Sequence, residues 1–193
     1  MEGQTIFCAK PALQGERVLL RPFLEEDIPV MLKILDEADV KRLTGSVYTS
    51  EEANRPMDDA ERERTIAWYR TRGEQPDRLD LAIVRQADGQ VVGEAVLNDW
   101  DEDCERCNFR ILIGQQGQNG GLGSEATQLM VEYALDVLGL HRVDLTVFAF
   151  NPRAQRVYEK AGFVLEGTRR EVFRFDGVWY DERIYSIIAP ERA

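Results

Sequence analysis

Hydrophobic and polar positions over residues 1–72 follow a strand pattern once and a helical pattern twice. Apolar residues cluster at 18–20, which predicts a short strand, and recur every three or four positions over 25–37, which predicts a helix. A second helix is predicted over 58–72, opened by an aspartate N-cap at its first or second position. Between the two helices, residues 38–57 show no clear period.

The rest of the chain, residues 73–193, combines strand patterns with one long helix and one short helix. The long helix is predicted from Gly121 or Leu122 to Leu138, with Gly139 as its C-terminal cap. The dipeptide Asn151-Pro152 opens the short helix and Gly162 ends it. Strands are predicted at 79–85, 91–97, 106–113, 142–150, 163–175 and 178–188.

The order of these elements predicts the fold class. The Asp88-Gly89 and Asp176-Gly177 turns each join two strands as a hairpin, and a polar turn is predicted over 98–105. Strand, two helices, three strands, helix, strand, helix and two strands give an α/β (mixed α+β) chain. We therefore expect a mixed sheet with helices on both faces, in a single domain over residues 1–193.

Charge and cysteine content exclude several classes of function. The 35 acidic residues outnumber the 24 basic ones, for a net charge of −11, which argues against nucleic acid or an anionic membrane as a partner. No apolar run reaches the roughly 18 residues of a membrane span, so we expect a cytoplasmic protein. Cys104 and Cys107 form a lone C-x-x-C pair, and His141 is the single histidine, so we expect no metal site.

The glycine-rich stretch 115–126 carries the most informative chemistry. A strand leads into it and the long helix leads out, so the helix N–H groups and its positive dipole end face an open turn. Glycines in that turn allow a bulky group to approach the backbone. This arrangement predicts a phosphate-binding loop, and it is not a Walker loop because no Gly-Lys-Ser/Thr follows.

Two phosphate-binding interpretations compete for this loop. Residues 121–126 fit the G-x-G-x-x-G/A pattern of dinucleotide sites, and Asp144 lies about 20 residues further on. A dinucleotide turn follows its strand directly, however, whereas seven residues separate Ile113 from Gly121. Asp144 also begins its strand instead of ending it, so we reject this interpretation.

The second interpretation is a family resemblance. Gln118-Asn-Gly-Gly121-Leu-Gly123 resembles the Gln/Arg-x-x-Gly-x-Gly/Ala loop of the GCN5-related N-acetyltransferases (GNAT family). The run from Asn151 through Tyr158 to Phe163 resembles the second signature of that family. The two signatures occur in the right order and cover about 91–163. The long front half and the aromatic C-terminal hairpin resemble the RimJ/RimL-like, ribosomal-protein-type branch.

The resemblance implies a site for acetyl-CoA as cosubstrate, with no metal. It implies that the pyrophosphate binds the loop and that the pantetheine pairs with the preceding strand like an added peptide strand. Asn151 is implied to contact the cofactor while also capping its helix. The implied cofactor-binding residues are Ile111, Ile113, Gln118, Asn119, Gly121, Leu122, Gly123, Ser124, Asn151, Ala154 and Tyr158.

The resemblance also implies candidates for catalysis. Tyr158 matches the tyrosine that serves as general acid toward the sulfur of coenzyme A, although its spacing from Ala154 and Ala161 also fits a core position. Many relatives carry a Glu in Ala-Glu-Leu-Gly where this chain has Asn108, and an amide cannot act as a base. Glu94, on the neighbouring strand, is the substitute candidate, and a strand carboxylate is expected to be exposed by default.

These features predict an N-acetyltransferase that moves an acetyl group from acetyl-CoA to a primary amine. The amine attacks the thioester directly, and it belongs to a small molecule or to a protein N-terminus. The alternative is an acyl-CoA-binding sensor with a degenerate active site. Acidic residues within 36–59 are hypothesised to line the acceptor site and to favour cationic amines. The prediction allows a homodimer and excludes nucleic acid and membrane partners.

Overall fold

A single mixed sheet of eight strands carries the fold in the computed structural model, which describes residues 6–189. The strands are β1 (Leu13–Gln14), β2 (Val18–Arg21), β3 (Leu79–Arg85), β4 (Gln90–Asp101), β5 (Arg106–Ile113), β6 (Arg142–Phe148), β7 (Val164–Phe175) and β8 (Val178–Ile188). Their order across the sheet is β1-β2-β3-β4-β5-β6-β8-β7. Only β5 and β6 pair in parallel; the other described neighbours are antiparallel.

Helices cover both faces of this sheet, as the sequence predicts. They are α1 (Ile28–Leu35), α2 (Ala38–Leu43), α3 (Ser50–Asn54), α4 (Asp59–Arg72), α5 (Leu122–Glu132) and α6 (Pro152–Lys160). One core lies between the sheet and α5 and α6, with Leu81, Leu97 and Met130 among its buried side chains. A second core lies between the sheet and α1 and α4, and it includes Met31 and Tyr69.

The predicted hairpins and helix caps are confirmed. Asp176 and Gly177 have φ of 47° and 81°, the two positive values that a type I′ turn requires. Asp58 accepts a hydrogen bond from the Glu61 N–H, and Glu61 bonds back to the Asp58 N–H, which forms a capping box. Gly139 has φ of 71° directly after the central helix.

Two predicted strand ends are wrong. β4 continues to Asp101, so the predicted polar turn over 98–105 is reduced to 102–105. Pairing of Asn98 with Asn108 and of Asp101 with Arg106 extends the ladder through a bulge, and this cross-strand pairing overrides the polar composition. β6 ends at Phe148 instead of residue 150.

Two features of the structure are not predicted by the periodicity of the sequence: short helices within 38–57 and a change of helix type at the end of the central helix. Helices α2 and α3 lie in this stretch, and α3 is opened by Thr49, which caps it together with Glu52. The central helix is α-helical to Glu132 and π-helical over Tyr133–Val137. Within residues 6–189, no helix combines the length and apolar character needed to cross a membrane.

Candidate active site

The two parallel strands at the centre of the sheet separate and open a cleft. β5 and β6 pair at Arg106–Arg142, Cys107–Val143 and Asn108–Asp144, and the pairing stops there. Beyond this point the strands diverge, and a cavity of about 450 Å³ opens between them. The cleft is lined by β5, the glycine-rich loop, the start of α6, the end of β6 and part of α2.

The free edge of β5 presents backbone groups to this cleft. The Gly114 N–H donates to the Val92 carbonyl at 2.9 Å, which sets which residues of β5 bond toward β4. Because backbone groups alternate sides along a strand, the N–H and C=O groups of Ile111 and Ile113 point away from β4 and into the cleft. Ile111 and Ile113 are the two strand residues that the sequence singles out.

The glycine-rich loop reverses direction at the mouth of the cleft. Asn119 and Gly121 have φ of 64° and 76°, and α5 begins directly afterwards at Leu122. This left-handed turn brings the start of the helix, with its unpaired N–H groups, to face the cleft. Each predicted loop residue lines the cleft: Gln118, Asn119, Gly121, Leu122, Gly123 and Ser124.

Two glycines of the loop differ in what surrounds them. A Cβ at Gly121 would lie 2.7 Å from Nη1 of Arg17, and its positive φ would be strained for any other residue. A Cβ at Gly123 would meet Ile113 Cδ1 at 3.4 Å, an ordinary contact. Gly123 therefore tolerates a side chain within the protein, and the space it leaves open faces the cleft.

Arginine side chains flank the loop although the chain is acidic overall. The guanidinium of Arg153 donates from Nη1 to Oε1 of Gln118, which joins the loop to α6. Nη1 of Arg17 donates to the Gly120 carbonyl at 3.5 Å. Neither arginine was selected from the sequence, although Arg153 lies within the second signature, two residues after Asn151.

The start of α6 places the other predicted cofactor residues. Oδ1 of Asn151 accepts a hydrogen bond from the Ala154 N–H at 3.2 Å, and Pro152 occupies the first helical position, which confirms the predicted cap. Asn151, Ala154 and Tyr158 all line the cleft. The helix therefore directs one face toward the divergence of β5 and β6.

Tyr158 is at once a core residue and a cleft residue. Its ring is 6% exposed and lies edge-on to Phe109 and Phe163, with centroid distances of 6.4 and 6.0 Å. Burial raises the pKa of Tyr158, so the phenol stays protonated at physiological pH and can donate its proton. No hydrogen bond joins its hydroxyl to another of the residues 6–189, and because the hydroxyl is not a buried unsatisfied group, it is open to the cleft.

Glu94 differs from the expectation for a strand carboxylate. It is buried, not exposed, and its Oε2 accepts from the Tyr69 hydroxyl at 2.7 Å and from Arg72 Nη1 at 2.9 Å. Arg72 also pairs with Asp80, so this arginine of α4 holds the carboxylates of both Asp80 and Glu94. Glu94 still lines the cleft, but as a carboxylate held by an ion pair.

The position of the missing family Glu is filled by an amide pair. Asn108 Nδ2 donates to Asn98 Oδ1 at 3.0 Å, across β4 and β5. Asn108 lines the cleft near the point of divergence. This pair can orient a bound group by hydrogen bonding, but it cannot accept a proton from an ammonium ion at neutral pH.

No acidic residue within 36–59 lines the β5–β6 cleft, although the sequence hypothesis places such residues around an acceptor site. Asp36 accepts from Lys41 Nζ and from the Met57 N–H, and Asp58 caps α4. The residues of this stretch that line the cleft are Val40, Leu43 and Thr44. Asp36 and Asp58 therefore serve an ion pair and a helix cap.

Comparison with known proteins decides the family. Residues 17–164 match the model of the acetyltransferase (GNAT) domain, which covers the β5–β6 cleft, the loop and α6. The chain belongs to the GNAT family. It is therefore an N-acetyltransferase, in a family that uses acetyl-CoA as acetyl donor.

Two relatives of this GNAT protein are each 31% identical to it in sequence over part of its length. YjcK of Bacillus subtilis, described as a probable N-acetyltransferase, is 31% identical over 129 residues, or 66% of this chain and 71% of that protein. The spermidine N(1)-acetyltransferase of Escherichia coli is 31% identical over 101 residues, or 52% of this chain and 54% of that protein.

A solved structure supports the fold of the GNAT domain. The spermidine N-acetyltransferase of Vibrio cholerae, solved in complex with CoA and spermine, superposes with a TM-score of 0.77 at 19% identity. The match covers 92% of this chain and 98% of that one. At this identity the comparison confirms the arrangement of strands and helices.

Proposed function

We propose that this protein transfers an acetyl group from acetyl-CoA to a primary amine by direct attack of the amine on the thioester. The proposal treats residues 1–193 as one catalytic domain. The observation that carries it is the divergence of β5 from β6, which opens a cleft lined by the glycine-rich loop on one side and by Tyr158 on the other. We further propose that the protein belongs to the RimJ/RimL-like branch.

The cofactor part of the proposal rests on the shape of the loop and strand. The N–H groups from Asn119 to Ser124 would bind the pyrophosphate, helped by the positive end of α5. Arg153 would add a charged donor beside Gln118. The free edge of β5 at Ile111 and Ile113 would pair with the amides of the pantetheine arm.

The catalytic part concerns two proton transfers. The leaving thiolate needs a proton or a hydrogen bond, and Tyr158 offers a neutral hydroxyl without another partner. The attacking amine must lose a proton, and Glu94 is a carboxylate that lines the cleft from β4, the strand that pairs with the strand of Asn108. Since Glu94 Oε2 is occupied by Tyr69 and Arg72, Oε1 or a water bound to it would accept the proton.

The acceptor is an amine, and the names of relatives suggest its class. Two of the similar proteins act on spermidine by name, and one was solved with spermine. Those names apply to proteins that share half of this chain or only its fold, so the acceptor must be tested on this protein. A small-molecule amine and a protein N-terminus are the two candidates.

Release of CoA with a panel of amines tests the proposal. The panel contains polyamines, amino acids, amino acid amides and peptides with free N-termini. Turnover with one class above the rate of acetyl-CoA hydrolysis supports the transferase, and Tyr158→Phe should abolish most of that turnover. Tight binding of acetyl-CoA in calorimetry, without turnover on any amine, would instead support the acyl-CoA sensor.

A further inference from the structure

The charged side chains that line the cleft are not equivalent. Within the described residues they are Glu94, Arg110, Arg153 and Glu182. Glu94 is paired with Arg72 at 2.9 Å, and Glu182 with Arg169 at 3.0 Å. Both carboxylates of the cleft are therefore neutralised by an arginine before any ligand binds.

The two arginines of the cleft lie in different places. Arg153 belongs to the loop side and donates to Gln118. Arg110 lies on β5, opposite Val96 of β4, and its side chain is exposed. Across residues 6–189 we find no hydrogen bond or ion pair of the Arg110 side chain. It is the cation of the cleft that has no protein partner in the described structure.

Arg110 faces the side of the sheet where an acceptor would enter. Side chains alternate along a strand, so Arg110 shares a face with Asn108 and Leu112, whereas Phe109 and Ile111 contact the core under α5 and α6. Leu112 packs with the core under α1 and α4. The guanidinium therefore lies on the α1–α4 face of the sheet, opposite the helices that carry the cofactor loop and Tyr158.

We propose that Arg110 binds a carboxylate of the acceptor, which makes the substrate a small amine with a carboxylate close to its nitrogen, as in an α-amino acid. This inference rests on the proposed acetyl transfer and narrows its acceptor. A guanidinium matches a carboxylate with two parallel N–H donors, which fixes orientation as well as charge. Val40, Leu43 and Phe148 line the same cleft and can contact an apolar side group.

The net charge of −11 does not oppose this assignment. At physiological ionic strength, exposed charges further apart than about 8 Å are largely screened. The local charges of the cleft, where both carboxylates already have arginine partners, then decide recognition. A polyamine would find no carboxylate in the cleft that lacks an arginine partner, whereas the carboxylate of an amino acid could pair with Arg110.

The test compares kcat/KM for L-leucine and L-leucinamide in the intact protein. We expect Arg110→Gln to reduce kcat/KM for the acid by about tenfold or more, while the amide changes less than twofold. Comparing the acid-to-amide ratio of the wild type with that of each variant cancels the different amine pKa values of the two substrates. Arg110→Lys, which keeps the charge but loses the fork, should fall between them.

The control variant is Arg170→Gln, which changes an exposed strand arginine of β7 that does not line the cleft. It should leave the ratio unchanged. An acid-to-amide ratio that is equal in the wild type and in Arg110→Gln overturns the role of Arg110 but leaves acetyl transfer intact. Acetyl-CoA binding without turnover on any amine overturns the proposed function, and this inference with it.

Discussion

The ring of Tyr158 stands edge-on to the ring of Phe109, with 6.4 Å between their centroids, at the point where β5 leaves β6. Phe109 is the first residue of β5 after the last paired position, Asn108. The contact therefore fixes the tyrosine at the apex of the cleft and leaves its hydroxyl as the polar end of an otherwise aromatic surface.

Replacing Tyr158 with Phe should lower kcat by about 10²–10⁴-fold, the usual contribution of a general acid. The ring contacts with Phe109 and Phe163 remain, so acetyl-CoA affinity and thermal stability should change little. Initial rates of CoA release measure kcat, and calorimetry with acetyl-CoA measures the affinity. A kcat within about threefold of wild type, well below that range, would show that water protonates the thiolate.

Replacing Gly123 with Val should weaken acetyl-CoA binding, because the side chain would project into the loop where the pyrophosphate is proposed to bind. The protein itself offers space, since a Cβ at this position meets only Ile113 at ordinary contact distance. Gly73→Val is the matched control, because a Cβ there meets nothing within 4 Å and Gly73 does not line the cleft. Equal affinity of a folded Gly123→Val protein and the wild type would contradict the loop assignment.

Replacing Arg72 with Met should lower the free energy of unfolding by about 3–5 kcal/mol, because it leaves Glu94 as a buried carboxylate without its cation, while Asp80 keeps its ion pair with Arg78. Urea denaturation measures the change. Arg70→Met on the same helix is the control: Arg70 pairs with Glu25 on the exposed surface, where solvent screens the pair, so its loss should change stability little. Equal losses in the two variants would argue against a buried network.

Replacing Glu94 with Gln should reduce kcat/KM for the amine, if Glu94 accepts the proton of the amine, while acetyl-CoA affinity should change little. Tyr69→Phe removes one hydrogen bond to Oε2 but keeps the carboxylate, so it should retain most of that kcat/KM. Steady-state kinetics measure both variants, and a folded Glu94→Gln protein with wild-type kcat/KM would assign the proton acceptor to another group or to water.

Stability at low pH should depend on Glu166. Its hydrogen bonds to Arg142 and then to Ser186 lower its pKa from 4.5 to about 2. A depressed carboxyl pKa stabilises the fold above the ordinary value and loses that contribution as the pH falls through the lower one. The stability gap between wild type and Glu166→Gln should therefore narrow as the pH drops below about 4.5, and salt should reduce it because the side chain is partly exposed. Denaturation curves at successive pH values measure this gap, and a constant gap would contradict the ion pair.

The geometry of the glycine-rich loop and of the start of α6 could be predicted because its information is local. A left-handed turn at Gly121, the cap at Asn151 and the β5 strand each leave a pattern within a few residues of sequence. The buried state of Glu94 could not be predicted, because its partners Tyr69 and Arg72 come from a helix more than twenty residues away. Tertiary partners, not strand patterning, decide whether a polar strand residue is exposed.

Polar stretches show the same limit. The sequence of 36–59 suggests an acidic site, yet Asp36 pairs with Lys41 and Glu52 and Asp58 bond to backbone N–H groups at helix starts. The extension of β4 to Asp101 cannot be predicted from its polar composition, because the pairing of Asn98 with Asn108 lies across a hairpin and is followed by a bulge. The role inferred for Arg110 depends on its side chain having no protein partner while Glu94 and Glu182 each have an arginine partner. Only the three-dimensional arrangement shows this difference.

The early end of the β5–β6 ladder also has a consequence for the lifetime of the protein. Past Asn108 the centre of the sheet lacks a neighbour on one side, so local opening should be easiest there in the free protein. A ligand that fills this position and binds only the folded state raises stability with the logarithm of its concentration. Limited proteolysis of the purified protein should therefore slow when such a ligand is added.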